Sequence, residues 1–174
     1  MSVTQEHFES VCARAREAML LHSTADTLEW DERTGMPVAA GEYRAQQIST
    51  LRALVHERRT DPAYGEDLQL LLQECEDEEP HSAVSATVQQ LFRDWQRDCK
   101  LPTTLVEQIS KATVRGQQTW DAARQADDFS MFEETLGNVI DLKREAGQRL
   151  SEGTDRSIYE ALLDEYEPNA RVED

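Results

Sequence analysis

The chain has 174 residues, 39% hydrophobic and 30% charged, with 35 acidic against 18 basic side chains and a formal net charge of -17. That length suits one domain with a real core and is short for two. A surface this negative repels phosphate backbones and anionic lipid, which sets nucleic acid and membranes aside as partners.

Seven Gly and five Pro among many Glu, Gln, Arg, Ala and Leu favour helix throughout. In the first segment Phe8, Val11, Cys12, Ala15, Ala18, Met19 and His22 follow the i, i+3, i+4 rule, with Thr4 as the expected cap. It ends near Trp30-Asp31, and Gly35 and Pro37 break the chain before a second helix from about Ala39 to Arg59, with Ala45, Ile48, Leu51 and Val55 on one side. Asp61 caps a third helix with Pro62 at its first position and Tyr64, Leu68, Leu71, Leu72 and Cys75 as its stripe. The acidic run EDEEP, residues 76–80, reads as a solvated loop. Ser82 opens a fourth helix carrying Val84, Val88, Leu91, Phe92, Trp95 and Cys99.

Leu101-Pro102 then breaks the helix. Thr104 with Glu107 forms a capping-box pattern for a long fifth helix through Leu105, Ile109, Ala112, Gly116, Trp120 and Ala123, to Ala126. Ser130 with Glu133 repeats the pattern before a sixth, which carries Phe132, Leu136, Ile140, Lys143, Gly147 and Leu150. Ser157 with Glu160 precedes a short last helix holding Tyr159, Leu162, Leu163 and Tyr166. No segment alternates with period two, so no strand is expected. The expected fold is all-α: one helical domain over residues 1–174, a bundle of about six to seven mostly long helices without a sheet.

The opening MSVTQEHFES has neither the basic nor the apolar region of a secretory signal. Cys12, Cys75 and Cys99 are odd in number, far apart and without a C-x-x-C pair. Each falls on an apolar face, so buried reduced thiols in a cytoplasmic protein are expected.

Chemistry is sparse. HERRT, from His56 to Thr60, supplies half of an H-E-x-x-H zinc helix, with Thr60 where the second imidazole must stand. His56 therefore reads as a helix-face histidine bonding a neighbour. His22 and Asp26 have ligand-like spacing that helix surfaces commonly show. Neither G-x-S-x-G nor a glycine-rich phosphate loop occurs. Glu29, Asp31 and Glu32 beside Trp30 form the densest carboxylate cluster by eye, read as solvated or capping. No catalytic, cofactor-binding or metal-ligating residue is assigned.

Four stretches together carry a resemblance. LEWDERTGMP (Leu28 to Pro37) with Arg44 and His56 resembles the opening of the carboxypeptidase Taq zinc metallocarboxypeptidases. FRDWQRDCKLPTTLVEQIS (Phe92 to Ser110) is similar to that family's helix-Leu-Pro-helix stretch, and GQQTWDAARQADDFSMFEETL (Gly116 to Leu136) to its Trp, Ala-Arg and Asp-Phe pattern. IYEALLDEYEPNA (Ile158 to Ala170) resembles its Tyr-(Asp/Glu)-Ala-Leu-Leu-Asp-x-(Tyr/Phe)-Glu-Pro segment, with Asn169 where the family usually has Gly. The stretches lie in the right order but match only the N-terminal third of such an enzyme. The motif positions are Trp30, Asp31, Met36, Pro37, Arg44, His56, Trp120, Arg124, Tyr159, Glu167 and Pro168.

The resemblance implies an all-helical fold, zinc bound elsewhere through H-E-x-x-H, removal of C-terminal residues from peptides, and dimers. Trp30 is expected to pack into the core at the corner, Asp31 to satisfy backbone donors or Arg44, and Pro37 to prepare the second helix. Without the metal ligands the chain is expected to be inactive alone. It should act in binding, assembly or regulation, as a homo-oligomer or with a full-length relative, and with peptides as a further ligand class. The alternatives are a piece of a full-length zinc carboxypeptidase and a helical adaptor unrelated to peptides.

Overall fold

The computed structural model describes residues 5–75 and 82–172. Among them the chain forms seven α-helices and no strand. They are α1 (Gln5–Thr34), α2 (Gly41–Arg59), α3 (Pro62–Glu74), α4 (Ala83–Asp98), α5 (Thr103–Ala126), α6 (Ser130–Ser151) and α7 (Ile158–Leu163), with one 3-10 turn over Val38–Ala40. The expected Thr4 cap and the acidic run at 76–80 lie outside the described residues.

The first helix is longer than its sequence suggests, because its polar residues are locally absorbed. The hydroxyls of Ser23, Thr24, Thr27 and Thr34 donate to carbonyls three or four residues back, at 2.9–3.0 Å, so they decorate the helix instead of ending it. Trp30-Asp31 therefore lies inside α1, and the corner proper is Gly35–Pro37, where the Gly35 and Met36 N–H groups both donate to the Asp31 carbonyl. The 3-10 turn delays the second helix to Gly41.

Two of the expected caps form as read. Asp61 accepts from the Ala63 N–H at 2.9 Å with Pro62 at the first position, and Ser82 accepts from the Ser85 N–H at 3.1 Å. Ser157 and Glu160 close a reciprocal capping box on α7. The other two boxes do not form. Helix α5 starts one residue before Thr104, behind Pro102, and Asp128, not Ser130, caps α6 by accepting from the Ser130 N–H at 3.0 Å.

Helix α2 packs against α1 and α5, α5 against α6, and α6 against α7; α3 pairs with α4 and also meets α1. Two cores result. Val11 of α1, Tyr64, Leu68, Leu71 and Cys75 of the α3 segment, and Val88 of α4 form one; Ala45, Ile48 and Val114 form the other, with Leu28 against it. Small residues set the spacing. A Cβ on Gly65 would stand 2.2 Å from the Trp95 ring, so α3 and α4 meet only because that position has no side chain.

Several expected core residues face outward instead: Met19, Trp30, Trp120, Ile140, Tyr159 and Tyr166 are exposed, and so are Lys143 and Cys99. Cys12 is half-buried and only Cys75 is buried, so the expectation of three buried thiols is corrected.

Candidate functional site

The corner of α1 and α2 is where the sequence concentrates its unusual residues, and it is built as a ladder of ion pairs. Arg44 projects from the second turn of α2 back across α1. Its guanidinium reaches the Asp31 carboxylate at 2.7 Å and donates to the Leu28 carbonyl at 2.7 Å. Two turns along, Arg52 bridges Asp26 at 2.7 Å and Glu29 at 2.8 Å. Glu32 accepts from the Gln118 amide of α5 at 3.2 Å, and Gln118 in turn lies over Gly41, where an added Cβ would stand 2.2 Å from it. Burial pushes the Glu32 carboxyl above its ordinary range, against the Gln118 bond and the nearby Arg33. Between α1, α2 and α5 a cavity of about 330 Å³ is lined by Glu29, Glu32 and Arg52, with Thr113 and Gln117 opposite.

Trp30 is not part of this ladder's interior. It is 67% exposed, so the expectation that it packs into the core is wrong. The physical reason is angular: the buried stripe of α1 runs Val11, Ala18, Ala25, and Trp30, five residues on, is turned about 140° away at 3.6 residues per turn. Met36 is half-buried and Pro37 exposed.

The remaining motif residues do not join the corner. His56 is buried on α2, and its Nε2 lies 2.7 Å from the Leu101 carbonyl, tying α2 to the Leu-Pro break. Arg124 lies over the Trp120 ring at 5.2 Å on the outside of α5. Tyr159, Glu167 and Pro168 are exposed in the C-terminal segment. The eleven positions thus occupy separate places and form no single site.

Sequence reading missed a second cluster. Asp164, 8% exposed just past α7, accepts from Arg93 at 2.7 Å and from the Asn169 N–H at 2.8 Å, pairs with Arg156, and lies 3.8 Å from Arg97. Burial alone would raise this carboxyl. The Asn169 N–H with Arg93 and Arg156 more than offsets it and holds the group down at about 2. Asn169 itself has φ 67, the left-handed conformation that asparagine tolerates and that the usual Gly of this position would also adopt. Arg93 and Arg97 stand four apart within FRDWQRDCKLP and Asp164 lies in the IYEALLDEYEPNA segment, but nothing local in either stretch pairs them.

Chemically, these carboxylates and this histidine are engaged in holding helices together. His7 lies 3.6 Å from Asp67 and His22 3.1 Å from Asp26. Among the described residues, no group of three His, Cys, Asp or Glu is placed to hold a metal ion, and no helix is long and apolar enough to cross a membrane.

Known proteins with this chain's pattern share its architecture. It is 29% identical over 172 residues to thermostable carboxypeptidase 1 of Thermus thermophilus, covering 95% of this chain and 34% of that enzyme. The solved structure of Pyrococcus furiosus carboxypeptidase superposes with a TM-score of 0.73 at 25% identity, covering 98% of this chain and 33% of that one. The BsuCP crystal structure superposes at 0.87 over 97% of this chain and 33% of that one, a likeness of fold at 21% identity. The chain thus spans about a third of the length of the relatives it matches. The metal that the resemblance implies finds no fitting set of ligands among the described residues, so no chemical step is derived through it. The profile of the carboxypeptidase Taq (M32) metallopeptidases matches residues 10–174, which cover all four quoted stretches, and the chain belongs to that family.

Proposed function

We propose that this chain serves as a non-catalytic helical lobe of the carboxypeptidase Taq type, acting through binding and assembly. One observation carries the reading: the carboxylates of the α1–α2 corner and the buried histidine are committed to structure. Asp31, Glu29 and Glu32 each hold one helix to another through Arg44, Arg52 and Gln118, and His56 holds α2 to the Leu101 carbonyl of the Leu-Pro break. A general acid or base must instead face a reacting group, with its protonation tuned to that task.

The exposed apolar side chains supply the binding half of the reading. Met19, Leu20 and Trp30 of α1 and Tyr43 of α2 are each more than half exposed, and large exposed aromatics are the residues that anchor protein interfaces. A second copy of the chain, or a full-length relative, is the partner proposed. Sedimentation across a wide concentration range tests this. The expected result is a mass that rises above the 19.9 kDa of one chain and returns towards it in Trp30→Ser. A monomer at every concentration, alone and mixed with a full-length relative, would refute the assembly role.

The second reading is that these residues are one lobe of a full-length zinc carboxypeptidase acting on peptide C-termini. It is favoured by the threefold greater length of the matched relatives. Zinc and catalysis would then come from the other two-thirds of such an enzyme.

A further inference from the structure

One cavity of this acidic molecule is walled mainly by cations. This cavity, of about 460 Å³, lies between α4 and the segment running from α6 through α7, lined by Arg93, Arg97, Lys100 and Arg156 together with Trp95 and Asp164. Glu165 lies 3.5 Å from Arg97, and the charges of Arg97 and Arg156 also act on Asp98 and Asp155 behind them, but in the cavity wall itself Asp164 is the one carboxylate against four cations. The side chains of Arg93, Arg97 and Arg156 are only 33%, 20% and 20% exposed. Water therefore screens these arginines incompletely, and an anion entering the cavity would meet them at close range.

The donors already in use leave others open. Arg93 spends Nη2 on the Asp164 carboxylate and carbonyl, Arg97 spends Nη1 on the Ala161 carbonyl, Lys100 Nζ donates to the Leu150 and Glu152 carbonyls, and Arg156 spends Nη1 on Asp164 and Nη2 on the Asn169 side chain. These contacts fix the cations in place, while a guanidinium has five N–H groups in a planar fork that matches two oxygens at once. The indole of Trp95, stacked on Phe92 at 5.6 Å, faces the other way, into the core beside Gly65, and takes no part in the cavity's donor set.

We propose that this cavity binds a small oxyanion, phosphate or a free organic carboxylate, held by Arg93, Arg97, Arg156 and Lys100. Equilibrium dialysis of the whole chain against labelled phosphate tests this. Phosphate exchanged for chloride at constant ionic strength should bind saturably. Succinate in a second series separates the sources: saturation by one or both supports the site and names the ligand.

Gln96 lines the cavity and is exposed, so its charge can be changed with the fold intact. Gln96→Glu should weaken binding by about tenfold or more, and Gln96→Lys should tighten it, since one charge several ångströms away in a partly screened site is worth about 1.4 kcal/mol. The same dialysis reads the affinities of both variants. No saturable binding of either anion, or equal affinities in the two Gln96 variants, would overturn the proposal.

Discussion

Replacing Asp164 with Asn keeps the shape and removes the charge that three arginines share. The magnitude follows from two directions. The carboxyl is held at about 2 against an ordinary 3.8, which at about 1.36 kcal/mol per unit corresponds to roughly 2 kcal/mol of folding free energy. Breaking a fully buried ion pair costs about 3–5 kcal/mol, and the partial exposure of Arg93, Arg97 and Arg156 reduces that towards the same figure. The sign is set by the depressed folded value. The contribution is complete above the unfolded value near 4 and is lost as the pH falls towards 2. At pH 3 roughly half of it remains. Urea unfolding of parent and Asp164→Asn at pH 7 and at pH 3 reads this directly. The variant should be less stable by about 2 kcal/mol at pH 7 and by about half as much at pH 3. Equal midpoints at pH 7, or a gap that does not shrink in acid, would refute the account of this cluster.

Other substitutions probe the remaining joints. Gly65→Ala drives a methyl into the Trp95 ring and should cost about 1–3 kcal/mol by overpacking, seen as a lower urea midpoint; Gly137→Ala, where nothing lies within 4 Å, should not destabilise. Arg44→Met removes the bonds to Asp31 and the Leu28 carbonyl and should cost about 1–2 kcal/mol, with amide exchange rising first at the α1–α2 corner. His56→Phe preserves bulk but leaves the Leu101 carbonyl without its partner, an expected loss of about 1–3 kcal/mol by thermal unfolding. Asp61→Ala deletes both the α3 cap and the tie to Arg14 at 2.8 Å, an expected loss of about 1–2 kcal/mol visible in the same melts.

Helices were legible because their apolar spacing and several of their start signals are local: Asp61-Pro62, Ser82 and the Ser157–Glu160 box each sit where the backbone needs them. The boundary of α1 was not, since hydroxyls that look like breakers are satisfied by carbonyls of the preceding turn. Thr104 failed as a cap because Pro102 already starts the helix, and Asp128 displaced Ser130 because its carboxylate reaches the free N–H from outside. Trp30 misled by residue type. Tryptophan is apolar, but its position on α1 faces away from the Val11–Ala25 stripe, and position decides burial. The Asp164 cluster joins residues about 70 apart in sequence, and no local pattern marks such a pairing. Both residues fall within resembling stretches, yet their meeting emerges only in the folded chain.

The most direct test of the non-catalytic reading is a turnover assay. The purified chain is incubated with zinc and a C-terminally unblocked peptide, with and without a chelator, and released amino acids are quantified. No release above the peptide alone is the predicted result. Steady release that the chelator abolishes would contradict it and place a working metal centre in a chain whose acidic corner and buried histidine are here assigned to holding helices together.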